Sequence, residues 1–228
     1  MRIFAAILAC LVLAACTTTD TRLAFKDQAK PSPGARVLVL QPDVQLSLLT
    51  AGGVLEARAD WSKAAQANLA KDVEAQLKGR AHQFRMVASD DLMTGRVGQL
   101  TRLHTALGRS ILSFDYGGMP LPTKRKRFDW TLGAGAQAMA AEQQADYALF
   151  IRSEGTYASG GRVVTAIGLS LIGVHVPLGK QQVFASLVDL RSGQVVWFNV
   201  AVAGPNADMR QPEGSASLAK SLLKSIPL

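Results

Sequence analysis

The side chains best suited to metal binding or to general-base work near neutral pH are His82, His104 and His175, and their spacing supports neither role. None belongs to an H-E-x-x-H pair or to another metal-ligand pattern. No G-x-S-x-G elbow is present to raise a serine nucleophile, and Ser159-Gly160-Gly161 reads as a turn. Carboxylate acid–base chemistry needs two acids facing each other in a pocket; Glu154 and Asp189 are the candidates, and each reads as an ordinary strand-end or hairpin residue. Gly133-Ala134-Gly135-Ala136-Gln137-Ala138 fits G-x-G-x-x-A, the shape that lets a backbone approach a pyrophosphate, but no clear strand precedes it. The acidic residue expected about twenty positions later is also missing, so the small residues read as helix packing. Without a nucleophile, base and orienter set, the sequence points away from an enzyme, and it predicts no metal and no cofactor.

The remaining reactive group is a thiol. The two cysteines, Cys10 and Cys16, both lie in the first sixteen residues. Met1-Arg2 and an apolar run from Ile3 to Ala15 form the charged start, greasy middle and small-residue exit of a secretory signal. That run is too short to span a bilayer and has no polar face, so it does not read as a buried helix. Leu13-Ala14-Ala15-Cys16 resembles the lipobox of bacterial lipoproteins, in which the cysteine is acylated and becomes the first mature residue. Ile7-Leu8-Ala9-Cys10 is a rival, but cleavage there leaves only a few apolar residues for export. The expectation is a signal peptide over 1–15 and lipidation at Cys16.

The mature chain would then hold no free thiol, which excludes a disulfide framework and a cysteine-based metal or redox site. Its fold must rest on its core. One acyl chain anchors only marginally, so the two or three chains of a lipoprotein make attachment lasting. Thr17 stands where an Asp favours inner-membrane retention in enterobacterial lipoproteins, so the resemblance implies the outer membrane, periplasmic face. The net charge of +8 falls by one when Arg2 departs. A basic balance there suits lipid head groups, lipopolysaccharide phosphates or acidic proteins, and not nucleic acid.

The elements that must position any site follow from pattern. Residues 16–35 are polar and Pro-punctuated and read as the lipidated cysteine plus a disordered tether reaching about 20 to 25 Å. One periplasmic domain is expected over 36–228. Arg36 to Leu40 reads as a buried strand, and Val44 to Leu48 with Val54 to Arg58 as a pair turning at Ala51-Gly52-Gly53. Asp60 is placed to cap a helix with Ala65, Leu69, Val73 and Leu77 on one face, ending at Gly79. Gln83 to Val87 is a short strand. Ser89-Asp90-Asp91 should open a second helix turning Leu92, Leu100, Leu103, Leu107 and Ile111 inward, and a third should run from Trp130 to Gln144 into a strand at Asp146 to Ile151. Val183 to Leu190 and Gln194 to Phe198, around Arg191-Ser192-Gly193, give the strongest hairpin signal; both strands are apolar on both faces, hence central and covered. Ser215 to Ser225 closes the chain as a helix with Leu218, Leu222 and Ile226 inward. The fold class is α/β (α+β): a mixed sheet packed with three to four helices and a late central hairpin.

Two stretches carry candidate contacts. Arg162 to Lys180 holds no charge between its basic ends, and its glycines and Pro177 argue against a spanning helix. It reads as core or as a helix covering the sheet, with a partner contact or a lipid-facing hairpin through Ile167, Leu169 and Leu171 as the alternative. Lys124-Arg125-Lys126-Arg127, followed by Phe128 and Trp130, is either a solvated loop or a site for lipid phosphate or an acidic partner.

The span from Leu132-Gly133 through Ala145-Asp146-Tyr147-Ala148-Leu149-Phe150, with Ala185-Ser186-Leu187-Val188-Asp189-Leu190-Arg191-Ser192-Gly193-Gln194-Val195-Val196-Trp197, is similar to uncharacterised proteobacterial lipoproteins related to the curli-secretion channel lipoprotein and to the outer-membrane activator of a peptidoglycan synthase. The resemblance covers about Trp130 to Trp197 and implies a compact α/β domain without catalytic residues; it transfers no active residue. The expected function is a lipid-anchored, non-enzymatic envelope protein that binds or supports another envelope protein. The alternatives are a homo-oligomeric secretion or channel component using 163–179 and, behind it, a periplasmic cell-wall hydrolase.

Overall fold

A computed structural model describes residues 17–24, 30–88, 94–124, 127–204 and 207–228. The expected signal peptide, Cys16, Arg125, Lys126 and the expected helix opening at Ser89 to Leu92 lie outside the described residues.

Eight strands form one mixed sheet: β1 (Thr18–Leu23), β2 (Arg36–Leu40), β3 (Asp43–Leu49), β4 (Leu55–Ala57), β5 (Gln83–Val87), β6 (Tyr147–Ala158), β7 (Gln181–Asp189) and β8 (Val195–Val202). The main order is β1-β8-β7-β6-β2-β5, with β3 on β6 and β4 on β3. β2 and β3 lie end to end along one side of β6, pairing in parallel with Tyr147 to Leu149 and with Arg152 to Ala158. The late hairpin is the antiparallel β7–β8 pair, and β7 is hydrogen-bonded on both sides. Six of the nine residues of β7 and seven of the eight of β8 are buried, as expected for strands apolar on both faces.

Strand periodicity divides the core in two. Val37, Val39, Leu149, Ile151, Ala185 and Leu187 meet α1 (Ala59–Leu77) and α5 (Pro212–Leu223) on one face. Leu38, Leu40, Ala148, Phe150, Phe184 and Phe198 meet α2 (Gly95–Ile111) and α3 (Gly135–Gln143) on the other. The four-residue spacing of Ala65, Leu69, Val73 and Leu77 buries all four, and Leu218, Leu222 and Ile226 are buried as expected. Among the described residues four α-helices thus pack on the sheet, and a fifth, α4 (Gly160–Ser170), projects from it.

Four local expectations are corrected. Thr18–Leu23, expected to be tether, is an edge strand antiparallel to β8, because β8 offers an unpaired row of backbone groups that a polar segment satisfies without a buried face of its own. Asp60 lies inside α1, where it accepts from Arg58 at 2.7 and 3.0 Å; Arg58 occupies the cap position without a side-chain cap bond. Leu103 is exposed and Leu107 half-buried on α2, while His104 and Gly108 take the inward positions. The third helix begins only at Gly135. Trp130 to Leu132 instead extend along the hairpin end, with Thr131 bridging Gln194, Leu132 N–H donating to Gly193 O and Val195 N–H donating to Trp130 O.

Candidate functional site

The segment from Arg162 to Lys180 is where sequence and structure part most sharply. β6 runs on past Gly155, the last residue paired with β7, to Ala158. Ser159 then caps α4, its hydroxyl accepting from Arg162 N–H at 3.2 Å. The helix stops in a paired backbone closure: Val174 N–H donates to Leu169 O and Gly173 N–H to Ser170 O, with Gly173 at φ +80°. This is the left-handed helix stop that glycine adopts without steric cost. The loop returns along the end of β6. Lys180 N–H bonds Thr156 Oγ1, Thr156 N–H bonds Lys180 O, and Arg162 Nε donates to Pro177 O at 2.9 Å. Gly179 presses so close that a Cβ there would stand 2.1 Å from Thr156 O.

This fixed base presents apolar side chains to solvent. Val164 is 70% exposed, Ile167 60%, Leu171 83% and Ile172 73%, with Val163, Val174 and Leu178 also exposed. Only Ala166 of α4 is buried, and Leu169 is half-buried. The β3–β4 turn adds exposed Val54 and Leu55, and it touches the start of α4, where a Cβ on Gly161 would lie 3.4 Å from Ala51. The expectation that this run is core is therefore overturned. Apolar composition alone cannot separate a buried helix from an uncovered one, because both show the same residues. A patch of this kind is a candidate contact surface.

The other sequence candidates do not assemble into a reactive centre. His104 is buried and bonded to Ser186 Oγ, His82 sits edge-on to Phe84 near β5, and His175 lies in the exposed loop. Among the described residues no group of three or more His, Cys, Asp or Glu could hold a metal. Glu154 pairs with Gln182 and Asp189 with Tyr147, which puts the two carboxylates seven residues, about 23 Å, apart along β6. Burial works against the Glu154 carboxylate, but hydrogen bonds from Arg109 and Arg152 outweigh it and hold its pKa below the ordinary value. The close approach allowed by Gly133 is taken up by the hairpin turn rather than a phosphate: a Cβ on Gly193 would meet Gly133 O at 2.3 Å, and Gln137 donates to Arg191 O.

Lys124 and Arg127, the described residues of the basic run, lie at the opposite end of the sheet from α4. Lys124 Nζ donates to Asp129 at 2.8 Å and stands 5.0 Å from the centre of the Trp130 ring. Its hydrogen bond is the main cause of the lowered Asp129 pKa. Arg127 lies 3.8 Å from the same carboxylate. With Arg22, Asp115 and Phe128 these residues line an open cavity of 440 Å³ beside the end of β1. A second feature of that end was invisible to sequence reasoning: a groove of 680 Å³ lined by Pro33, Arg36, Gln137, Asp146, Asp189 and Arg191. The Arg36 guanidinium is held by both Asp146 oxygens at 2.9 and 3.1 Å, a contact between residues 110 positions apart. No described helix is long and apolar enough to cross a membrane.

No protein-family model and no curated protein sequence matches this chain. Among solved structures it is similar to the PelC dodecamer from Paraburkholderia phytofirmans, at 15% identity over 93% of this chain and 98% of that one, with a TM-score of 0.42. It is also similar to the C-terminal domain of LpoB from Salmonella enterica, at 14% identity over 76% and 85% of the two chains, with a TM-score of 0.29. A third similar structure is lipoprotein GNA1162 from Neisseria meningitidis, at 13% identity over 75% and 85%, with a TM-score of 0.31. The solved neighbours thus include a bacterial lipoprotein, and at these scores the likeness decides nothing about activity or assembly.

Proposed function

We propose that this chain is a non-enzymatic lipoprotein, anchored through Cys16 to the periplasmic face of the outer membrane, that supports another envelope protein by contact. The observation that carries this reading is the uncovered apolar surface of α4 and the loop after it, which calls for a neighbour in the envelope, bilayer or protein, while the groove at Arg36 offers a partner protein a separate place of contact. Val164, Ile167, Leu171 and Ile172 stand in solvent on a base fixed by backbone hydrogen bonds. A domain in water leaves such an element bare where a neighbour in its working environment covers it. The basic loop at Lys124 and the groove at Arg36 supply polar surface at the other end of the sheet, suited to a protein partner in the periplasm.

A photo-crosslinking residue placed in living cells at Ile167 and, separately, at Arg191 tests this. A discrete adduct with a second envelope protein at either position is the expected result. A ladder of self-adducts replaces the reading with a homo-oligomeric secretion or channel component. No protein adduct at either position overturns it.

A further inference from the structure

The apolar element and the point where the chain arrives from Cys16 share one end of the sheet. Thr18 pairs with Val202, Val202 with Gln182 and Gln182 with Glu154. Thr18 is therefore level with Glu154, three strand spacings or about 14 Å to its side. β6 continues four residues beyond that level, about 13 Å, before α4 begins. Cys16 precedes Thr18 by two residues, which reach about 7 Å at most. The start of β1 and the base of α4 consequently lie at the same end of the sheet. The formation of β1 removes the slack that a tether from 16 to 35 would have given.

We propose that the bilayer carrying the Cys16 acyl chains is what covers the α4 surface, so that the domain stands on the membrane through α4 and the loop to Leu178. This rests on the reading of the chain as a lipoprotein anchored at Cys16 and narrows what its apolar surface meets. Charge supports a phospholipid surface over a protein one. Between Glu154 and Asp189 there is no acid, while Arg162 and Lys180 flank the apolar run and His175 lies within it. Of the acids on neighbouring elements, Asp60 is paired with Arg58 and Asp208 with Arg210, and Glu56 interacts with Arg58. Aliphatic side chains flanked by the basic Arg162 and Lys180 suit the boundary between acyl chains and anionic head groups. The groove at Arg36 and the loop at Lys124 then face away from the membrane, where a periplasmic protein can reach them.

The test uses the acylated chain in vesicles of phosphatidylethanolamine and phosphatidylglycerol. Neither native cysteine is a free thiol after processing, so a nitroxide can be placed singly at V164C, I167C, L171C and, as the far-end control, S192C. The expected result is that the first three labels collide several-fold more with oxygen, and several-fold less with a water-soluble nickel chelate, than the label at position 192. Equal access of the nickel chelate at all four positions overturns the proposal. Shielding from both reagents also overturns it: with spin–spin broadening the cover is a second copy, and without broadening it is the protein's own fold. Failure here alongside a protein adduct at Ile167 leaves the support function standing. Immersed labels with no protein adduct anywhere in the cell remove that function and leave the membrane footing.

Discussion

Replacing His104 should remove a defined part of the protein's acid sensitivity. The ring is buried on α2, stacked on Phe150 with centroids 4.2 Å apart and planes within 14°, and its Nε2 is bonded to Ser186 Oγ. Burial, reinforced by the nearby charge of Arg152, pushes its pKa from 6.5 down to about 3. The unfolded chain protonates this histidine near its ordinary value, whereas the folded protein keeps it neutral. Below pH 6.5 the unfolded state therefore binds a proton that the native state does not, and stability present at pH 7.5 is lost as the pH falls toward 3. At pH 5 the loss is about 2 kcal/mol, from roughly 1.4 kcal/mol per unit over about 1.5 units. The lowered carboxylates, Asp60, Asp129, Asp146, Glu154 and Asp208, act in the same direction but in a lower window: their stabilisation is present above their unfolded values and fades only as pH falls below about 4. The window from 7.5 to 5 therefore isolates histidine. The assay is urea unfolding at both pH values for the native protein and for the H104F/S186A pair, which removes the ring nitrogens and the hydroxyl that would otherwise be orphaned. The pair should lose about 2 kcal/mol less than the native protein across the window. Identical losses, or an imidazole NMR signal assigned to His104 that titrates near 6.5, would refute the argument.

Two further outcomes follow from the geometry. Gly193→Ala should lower stability by at least about 2 kcal/mol, because the residue has φ +74° and its new Cβ would collide with Gly133 O; a native-like urea midpoint would contradict the tight docking of the hairpin on the 130–133 segment. V164D/I167D should change unfolding stability by no more than about 0.5 kcal/mol, because both positions are solvent-exposed; a large loss of stability would mean that α4 is part of the core after all.

Much of the fold was legible because its signals are local. The spacing of Ala65, Leu69, Val73 and Leu77 produces a helix with one buried face wherever that helix lands, and the twin-faced apolar runs of β7 and β8 can be satisfied only inside a sheet. The conflict came where residue type was the same for two outcomes. Thr18 to Leu23 carries no pattern of its own and becomes a strand only because β8 has a free edge beside it. Trp130 to Leu132 continues a helical pattern but is drawn off by the hairpin turn, whose backbone offers it hydrogen bonds.

The amino-acid sequence by itself determined the α/β class, the central hairpin and the lack of metal-ligand spacing, and it supplied the expectation of a signal peptide and an anchor at Cys16, all of which depend on neighbours within a few residues. Only the tertiary structure decided that Ile167, Leu171 and Ile172 stand uncovered, that Arg36 and Asp146 close one wall of a groove, and that β1 and α4 leave the same end of the sheet. Those facts turn on strand order and register, which bring together residues more than a hundred positions apart. Hydrophobicity specifies that a side chain seeks cover; the arrangement of the whole sheet determines whether the chain itself provides it.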